Sequence, residues 1–202
     1  MADYVEDLAG LEAVYDTPPV KRSLDKVVHR MTPLYRRWIG AVRFCVLSTV
    51  GPEGTDASPR GDDGPVVTEL DDRTLALPDW SGNNRIDSLR NIVRDGRVSL
   101  MFMVPGSVNV VRLNGTARIS ADAAMTGRFE RAGKRPRTVV VIRIGEMYFQ
   151  CAKAILRSGL WQSGDESALV PSAGDLVKEV DSGFDGAAYD AEYGDYAKAR
   201  LW

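Results

Sequence analysis

Six short apolar runs, each rich in β-branched or aromatic residues, constrain the fold of this 202-residue chain more than any other feature. No long helical crossover separates most of them, which argues against a parallel sheet, and the turn-rich segment 51–65 follows the first run. The runs cover residues 44–50, 66–70, 74–77, 98–105, 108–120 and 137–150. The sequence therefore predicts a mainly β fold, a β-barrel or sandwich of six or so antiparallel strands with peripheral helices.

Apolar residues at three- and four-residue spacing predict helices outside and between these strands. The helical segments are 4–15, 23–40, 86–93 and 123–132. After Trp161 the chain is rich in Gly, Ser and Asp, which predicts a loop followed by a short helix.

We therefore expect a single domain with three parts. Residues 1–40 would form an N-terminal helical segment packed on the barrel, and residues 41–162 would form the barrel itself. Residues 163–202 would form an acidic C-terminal loop and short helix.

The charge balance favours a small-molecule partner over a polyanion. The 26 basic and 28 acidic residues give a net charge of -2, with nine acidic and three basic residues in 163–202. A nucleic-acid partner is therefore not expected. Since no apolar run approaches the ~20 residues that span a bilayer, no membrane partner is expected either. Cys45 and Cys151 lie in apolar stretches, where reduced thiols are common, and we expect a cytoplasmic protein.

Several enzyme classes are disfavoured because their residues are missing. His29 is the one histidine, so neither a His-rich metal site nor a set of Cys and His ligands is expected, and we predict no metal. The sequence has no GxSxG elbow, no GxxxxGK[ST] loop and no strand-bound GxGxxG. Any phosphate site must therefore be built in another way.

Segment 77–89, LPDWSGNNRIDSL, predicts a strand, a polar loop and the start of a helix. Asn84 would cap this helix and Arg85 would lie in its first turn, where a helix N-terminus and a guanidinium both favour phosphate. An ordinary capped helix with a surface arginine explains the same residues.

A second candidate lies in DASPRGD, residues 56–62, at the edge of a strand. Its small residues and exposed backbone would let a planar ring lie against the strand, and Arg60 could reach a phosphate or a ring carbonyl. A hairpin turn is the alternative interpretation.

Three further basic residues are candidate ligand-binding residues, and each also has an ordinary structural explanation. Arg112 lies between apolar residues of a strand and either meets a ligand or is a paired arginine on the outer face. Lys153 and Arg157 are four residues apart and share a helix face, which is either a solvated surface or an anion site.

Four motifs in order resemble the pyridoxamine 5'-phosphate oxidase-related superfamily, and within it a bacterial branch of FMN-dependent proteins with the patterns SPRGD, GNxRxDSLxNI, RxNGxA and CAKAxxRSxLW. The motifs here are DASPRGDDGP, LPDWSGNNRIDSLRNI, VVRLNGTARI and CAKAILRSGLW, and the resemblance covers about residues 24–161. It implies an FMN-binding split barrel that forms a homodimer, with FMN in clefts between the subunits.

The resemblance also implies roles for the residues in these motifs. The SPRG strand edge would face the flavin, the PD pair would follow its ring and ribityl chain, the NR pair would bind its phosphate, and the remaining cations would complete the cleft. The implied cofactor-binding residues are Ser58, Pro59, Arg60, Gly61, Pro78, Asp79, Asn84, Arg85, Arg112, Lys153 and Arg157. Lys153 and Arg157 would reach the cleft of the neighbouring subunit, and Trp161 would either shield the flavin or pack.

The implied activity is an FMN-dependent oxidoreductase that transfers hydride or electrons to or from a small molecule, with the catalytic residues and the substrate unknown. Gln150 stands where the branch often carries histidine, and residues 162–202 lack the arginine and histidine pair of the vitamin B6 enzymes. A flavin-binding carrier or sensor without its own substrate, and a deazaflavin-dependent reductase, are the alternatives.

Overall fold

Residues 4–202 are described by a computed structural model, so the first three residues of the expected N-terminal segment lie outside the described residues. The chain forms one antiparallel sheet of seven strands, in the order β2-β1-β5-β6-β7-β4-β3. The strands are β1 Phe44–Gly51, β2 Gly54–Gly61, β3 Thr68–Asp71, β4 Thr74–Asp79, β5 Arg97–Met103, β6 Val110–Ser120 and β7 Thr138–Gln150. The predicted mainly β, split-barrel fold with peripheral helices is confirmed.

Burial alternates along β1 and becomes nearly continuous in β4. Cys45 and Leu47 of β1 point into one core together with Phe102 of β5, Leu113 of β6 and Ile142 of β7, all of them fully enclosed. This alternation is the period-two pattern that the sequence shows. The core therefore lies on the concave side of the curled sheet.

Strand β2 is the one strand that the sequence analysis missed. Its residues belong to the turn-rich segment 51–65, in which DASPRGD is predicted at the edge of a strand with a hairpin turn as the alternative. They pair along their whole length with β1, from Gly54 opposite Gly51 to Gly61 opposite Phe44. Pro59 lacks the backbone N–H that a central strand needs, and it fits here because β2 lies at the edge of the sheet. Turn-forming composition therefore outweighed the strand signal.

Eight α-helices surround the sheet within the described residues. They are α1 Leu8–Val14, α2 Lys21–Asp25, α3 Pro33–Ile39, α4 Asp87–Arg94, α5 Ala123–Gly127, α6 Lys153–Ser158, α7 Ala173–Val180 and α8 Gly186–Lys198. The predicted second helix is divided into α2 and α3, because Pro33 starts a new helix at its first position. No helix in residues 4–202 is long and apolar enough to span a bilayer.

The N-terminal segment packs on the barrel only in its second half. Residues 4–25 are exposed throughout, whereas Met31 and Ile39 are buried in the core. Val28 forms an antiparallel bridge with Met147 of β7, which ties the chain between α2 and α3 to the sheet. The first helix therefore lies away from the barrel in the single chain.

His29 has a structural partner. It lies between α2 and α3, outside a helix, and its Nδ1 is 2.6 Å from the carbonyl oxygen of Gly145. Gly145 is the extra residue of a bulge in β7, because Asn114 pairs with Glu146 and the next residue of β6 pairs with Ile144. The imidazole therefore links the segment between α2 and α3 to the bulge of β7.

The C-terminal segment contains more helix than expected. Helices α7 and α8 form a hairpin in which Gly174 and Gly186 approach closely, since a Cβ on either glycine would lie under 3 Å from the backbone of the other. Ser172 and Asp175 form a capping box at the start of α7. A second side chain, that of Asp190, accepts a hydrogen bond of 2.9 Å from the Gly174 amide.

The two cysteines should react with DTNB at very different rates. Cys45 is fully enclosed and burial raises the pKa of its thiol to about 12, whereas Cys151 is exposed, and both are free thiols. Because the thiolate is the reactive form, we expect one fast thiol per chain at pH 8 and a second only after unfolding. Two fast thiols in the native protein would contradict the burial of Cys45.

Candidate functional site

A cleft of about 980 Å³ lies at the carboxyl ends of β2 and β4. Its volume is at the upper end of the range of about 300–1,000 Å³ for small-molecule sites. Eight predicted site residues line it and are therefore brought together: Ser58, Pro59, Arg60, Gly61, Pro78, Asp79, Asn84 and Arg85. Two motifs that are distant in sequence thus form one cleft.

An ion pair joins β2 to β4 across this cleft. Arg60 Nη1 lies 2.6 Å from Asp79 Oδ1, although the two strands are separated by four others in the order of the sheet. The sheet therefore curls until the edge strand β2 lies close to β4, the second strand from the other edge. About one fifth of each side chain is exposed, so the pair is shielded from water more than a surface salt bridge.

Two buried polar atoms beside the cleft lack hydrogen-bond partners within the described residues. They are Arg60 Nε and the hydroxyl oxygen of Thr138, and both residues line the cleft. Thr138 lies next to Asp79 in the β4–β7 pairing. Because an unpaired buried donor is costly, these atoms mark a part of the cleft that a polar ligand could stabilise.

The loop between β4 and α4 differs from the predicted capped helix. Helix α4 begins at Asp87, and Ile86 is its N-cap residue without a side-chain cap. Asn84 and Ile86 have φ of 58° and 54°, the left-handed region, so the loop turns sharply before the helix begins. The prediction that Asn84 caps the helix and Arg85 lies in its first turn is therefore wrong by two residues.

The Arg85 guanidinium lies beside the start of α4. Its Nε donates to Asp87 Oδ2 at 2.9 Å, and this hydrogen bond raises the pKa of Arg85 above its ordinary value. The first N–H groups of α4 have no side-chain cap, so the helix end still offers donors to an anion. Both predicted components of the phosphate site, the helix N-terminus and the Arg85 guanidinium, are present, although Arg85 lies before the helix and not in its first turn.

A basic segment that the sequence analysis missed forms the opposite wall. Lys134, Arg135 and Arg137 line the cleft, and Arg137 Nη1 donates to Asn84 Oδ1 at 3.3 Å. Arg135 is paired with Glu130, whereas Lys134 and Arg137 form no ion pair within residues 4–202. The run KRPR was visible in the sequence, but only the fold brings it to Asn84.

The other three predicted cations lie outside this cleft in the single chain. Arg112 is on β6 and its guanidinium lies 5.6 Å from the ring centroid of Tyr148, the residue opposite it on β7. Lys153 and Arg157 share one face of α6, which contains no buried residue. Trp161 donates a hydrogen bond of 2.8 Å to the Ser107 carbonyl, so it packs against the loop after β5.

Comparisons with solved structures return proteins that align with part of the chain. HupZ of Group A Streptococcus has 20% identity and a TM-score of 0.48, covering 59% of this chain and 93% of that one. A pyridoxamine 5'-phosphate oxidase candidate from Lactobacillus delbrueckii has 22% identity and a TM-score of 0.49, covering 60% and 95%. An FMN-binding protein from Syntrophomonas wolfei has 15% identity and a TM-score of 0.45, covering 70% and 97%.

The family comparison covers the strands that build the cleft. No curated protein matches the chain in sequence. Residues 31–151 match the family model described as pyridoxamine 5'-phosphate oxidase, and this range contains all seven strands together with helix α4. Because the match spans more than half of the residues, the chain belongs to the pyridoxamine 5'-phosphate oxidase family.

Proposed function

We propose that this protein binds FMN in the cleft and is an FMN-dependent oxidoreductase that acts on a small molecule. The observation that carries the proposal is a cleft with two chemically different parts. One part is the strand edge Ser58–Gly61, small in side chain except at Arg60, and the other contains Arg85, Arg137 and the uncapped start of α4. An elongated ligand with a planar ring and a phosphate matches both parts.

The residues present fit this cofactor. Arg85 and Arg137 would hold the phosphate, with Lys134 close enough to the cleft to add positive charge. The small side chains of β2 would let the ring lie close to the backbone, and a polar ring edge would give Arg60 Nε the partner that it lacks. When bound, FMN would supply hydride or electron transfer.

The residues of the chain would bind the cofactor, orient it and shield it from solvent. Among the residues that line the cleft there is no histidine and no cysteine, so no protein nucleophile is proposed. The Arg60–Asp79 pair would keep the guanidinium fixed beside the ring, because the pair is held between two strands. Pro78 and Asp79 would run along the ring and ribityl chain.

A homodimer is part of the proposal. Arg112, Lys153 and Arg157 lie outside the cleft of their own chain, and they would complete the cleft of a second copy. Phe44 and Phe149 are large apolar side chains exposed on the strands, as expected for a surface that a second copy covers. Sedimentation equilibrium should give about twice the mass of the 22.1 kDa chain, and a monomer would contradict this part.

Reconstitution with FMN tests the function. Protein incubated with excess FMN and desalted should remain yellow with one flavin per chain, and mass spectrometry of the released ligand separates FMN from a deazaflavin. Colourless protein would refute the proposal. Stopped-flow mixing with NADPH or NADH should then reduce the bound flavin. If FMN binds tightly but neither donor reduces it and no turnover with an acceptor occurs, the protein has the carrier or sensor role instead.

A further inference from the structure

Four side chains from four different segments form a closed cluster at one end of the cleft. Arg131 lies 2.8 Å from Asp62, whose side chain is only 3% exposed, and its guanidinium lies 4.7 Å from the centroid of Trp202. Trp202 packs edge-on against Trp80 with ring centroids 5.3 Å apart, and Trp80 Nε1 donates to Asp62 at 3.1 Å. Each member thus contacts two others.

The cluster lies at the opposite end of β2 from the proposed phosphate seat. Ser88, at the start of α4, donates to Asp56 at the beginning of the DASPRGD segment, whereas Trp80 donates to Asp62 at its end. Six residues of strand span about 20 Å. If the phosphate is held beside Arg85 and α4, the ring of a flavin that extends along β2 points towards Trp80 and Trp202.

Residues 201–202 reach this position from the helical hairpin. After α8 the chain turns, the Arg200 guanidinium stacks 3.9 Å from the ring centroid of Tyr196, and Leu201 and Trp202 then line the cleft. Arg131 is neutralised on its other side by Asp63, so the cation that holds Trp202 is itself fixed. The aromatic wall is therefore attached to the barrel by an ion-pair network and to the hairpin by the chain.

We propose that Trp202 is a positioning residue that forms an aromatic wall over the ring end of the bound flavin and limits the access of solvent and solutes to it. The inference rests on the proposed function for the identity of the ligand. Indole is well suited to this role, because it covers a planar ring with a large apolar surface. Arg131 holds the indole in place through its contacts with Trp202, Asp62 and Asp63.

Iodide quenching of the bound flavin tests the wall directly. In FMN-loaded full-length protein, Trp202→Ala should raise the Stern–Volmer constant of the flavin several-fold, and Trp202→Phe should restore most of the protection. Arg131→Ala should also raise the Stern–Volmer constant, because the Trp202 indole loses the contact that holds it in place. Arg128→Ala is the matched control, since Arg128 is exposed on the same segment and does not line the cleft. Equal quenching in Trp202→Ala and the unaltered protein would overturn the proposal.

A second measurement does not need the flavin. Trypsin cleaves after Arg200, and docking of Trp202 should slow cleavage at this bond in the flavin-free protein, as followed by mass spectrometry. Arg131→Ala should accelerate this cleavage several-fold, while Arg128→Ala should not. If FMN fails to bind the unaltered protein, the proposed function falls while the cleavage rates still report the docking. If cleavage is equally fast in all three proteins, the wall is not formed and the inference is wrong.

Discussion

Replacement of Arg85 by alanine is expected to weaken FMN binding about ten- to a hundredfold, because the phosphate would lose a charge-assisted contact. The same change would leave Asp87, the ion-pair partner of Arg85, beside the phosphate without its cation. Arg137→Ala should act in the same direction, as Arg137 reaches the same loop through Asn84. Fluorescence titration of flavin-free protein with FMN measures both effects.

Riboflavin separates a phosphate contact from a structural role. Its affinity should be unchanged in Arg85→Ala and Arg137→Ala, because it lacks the phosphate that these arginines would bind. Arg73→Ala, on the turn between β3 and β4, serves as a control, since Arg73 does not line the cleft. Unchanged FMN affinity in a folded Arg85→Ala protein would remove Arg85 from the phosphate site. Equal losses for FMN and riboflavin would mean that the loop had collapsed.

The strands that could be predicted are those whose burial alternates or is continuous over several residues. The central β5, β6 and β7 were all found, because each carries an apolar run that faces the core. Strand β2 was not found, because its burial pattern never reaches full burial and its residues are those of turns. Residues 54–61 form a strand because they pair with β1, and not because their residue types favour strands.

The candidate site was predictable where it is local in sequence. The SPRG and LPD segments line one cleft as expected, since each is a short motif on one strand end. Arg137 and Trp202 could not be assigned, because Arg137 is 53 positions from Asn84 in the sequence and Trp202 is more than one hundred positions from Trp80. The start of α4 was misplaced because left-handed residues, above all Ile86, are rare outside glycine and give no sequence signal.

The RxNGxA motif has a structural explanation that its sequence did not reveal. Asn114 bridges three strands, accepting from Ser99 on β5 and donating to Glu146 on β7, both at 2.7 Å. Gly115 follows at the bulge, where β6 and β7 approach so closely that a Cβ on Gly115 would lie 2.1 Å from the Arg143 carbonyl oxygen. Asn114 and Gly115 of this motif therefore fix the register of the two longest strands.

Gly115→Ala is accordingly expected to destabilise the protein by about 3 kcal/mol, because the clash is with backbone in the middle of the sheet and the strands must separate to relieve it. For a chain of this length that loss corresponds to a melting temperature lower by about 6–12 °C. Equilibrium urea denaturation measures the free energy of unfolding. Gly194→Ala is the matched control: Gly194 lies within α8 with nothing within 4 Å of the added Cβ. Alanine should be neutral or stabilising there, by up to about 1 kcal/mol. A Gly115→Ala protein as stable as this control would show that β6 and β7 do not approach as described.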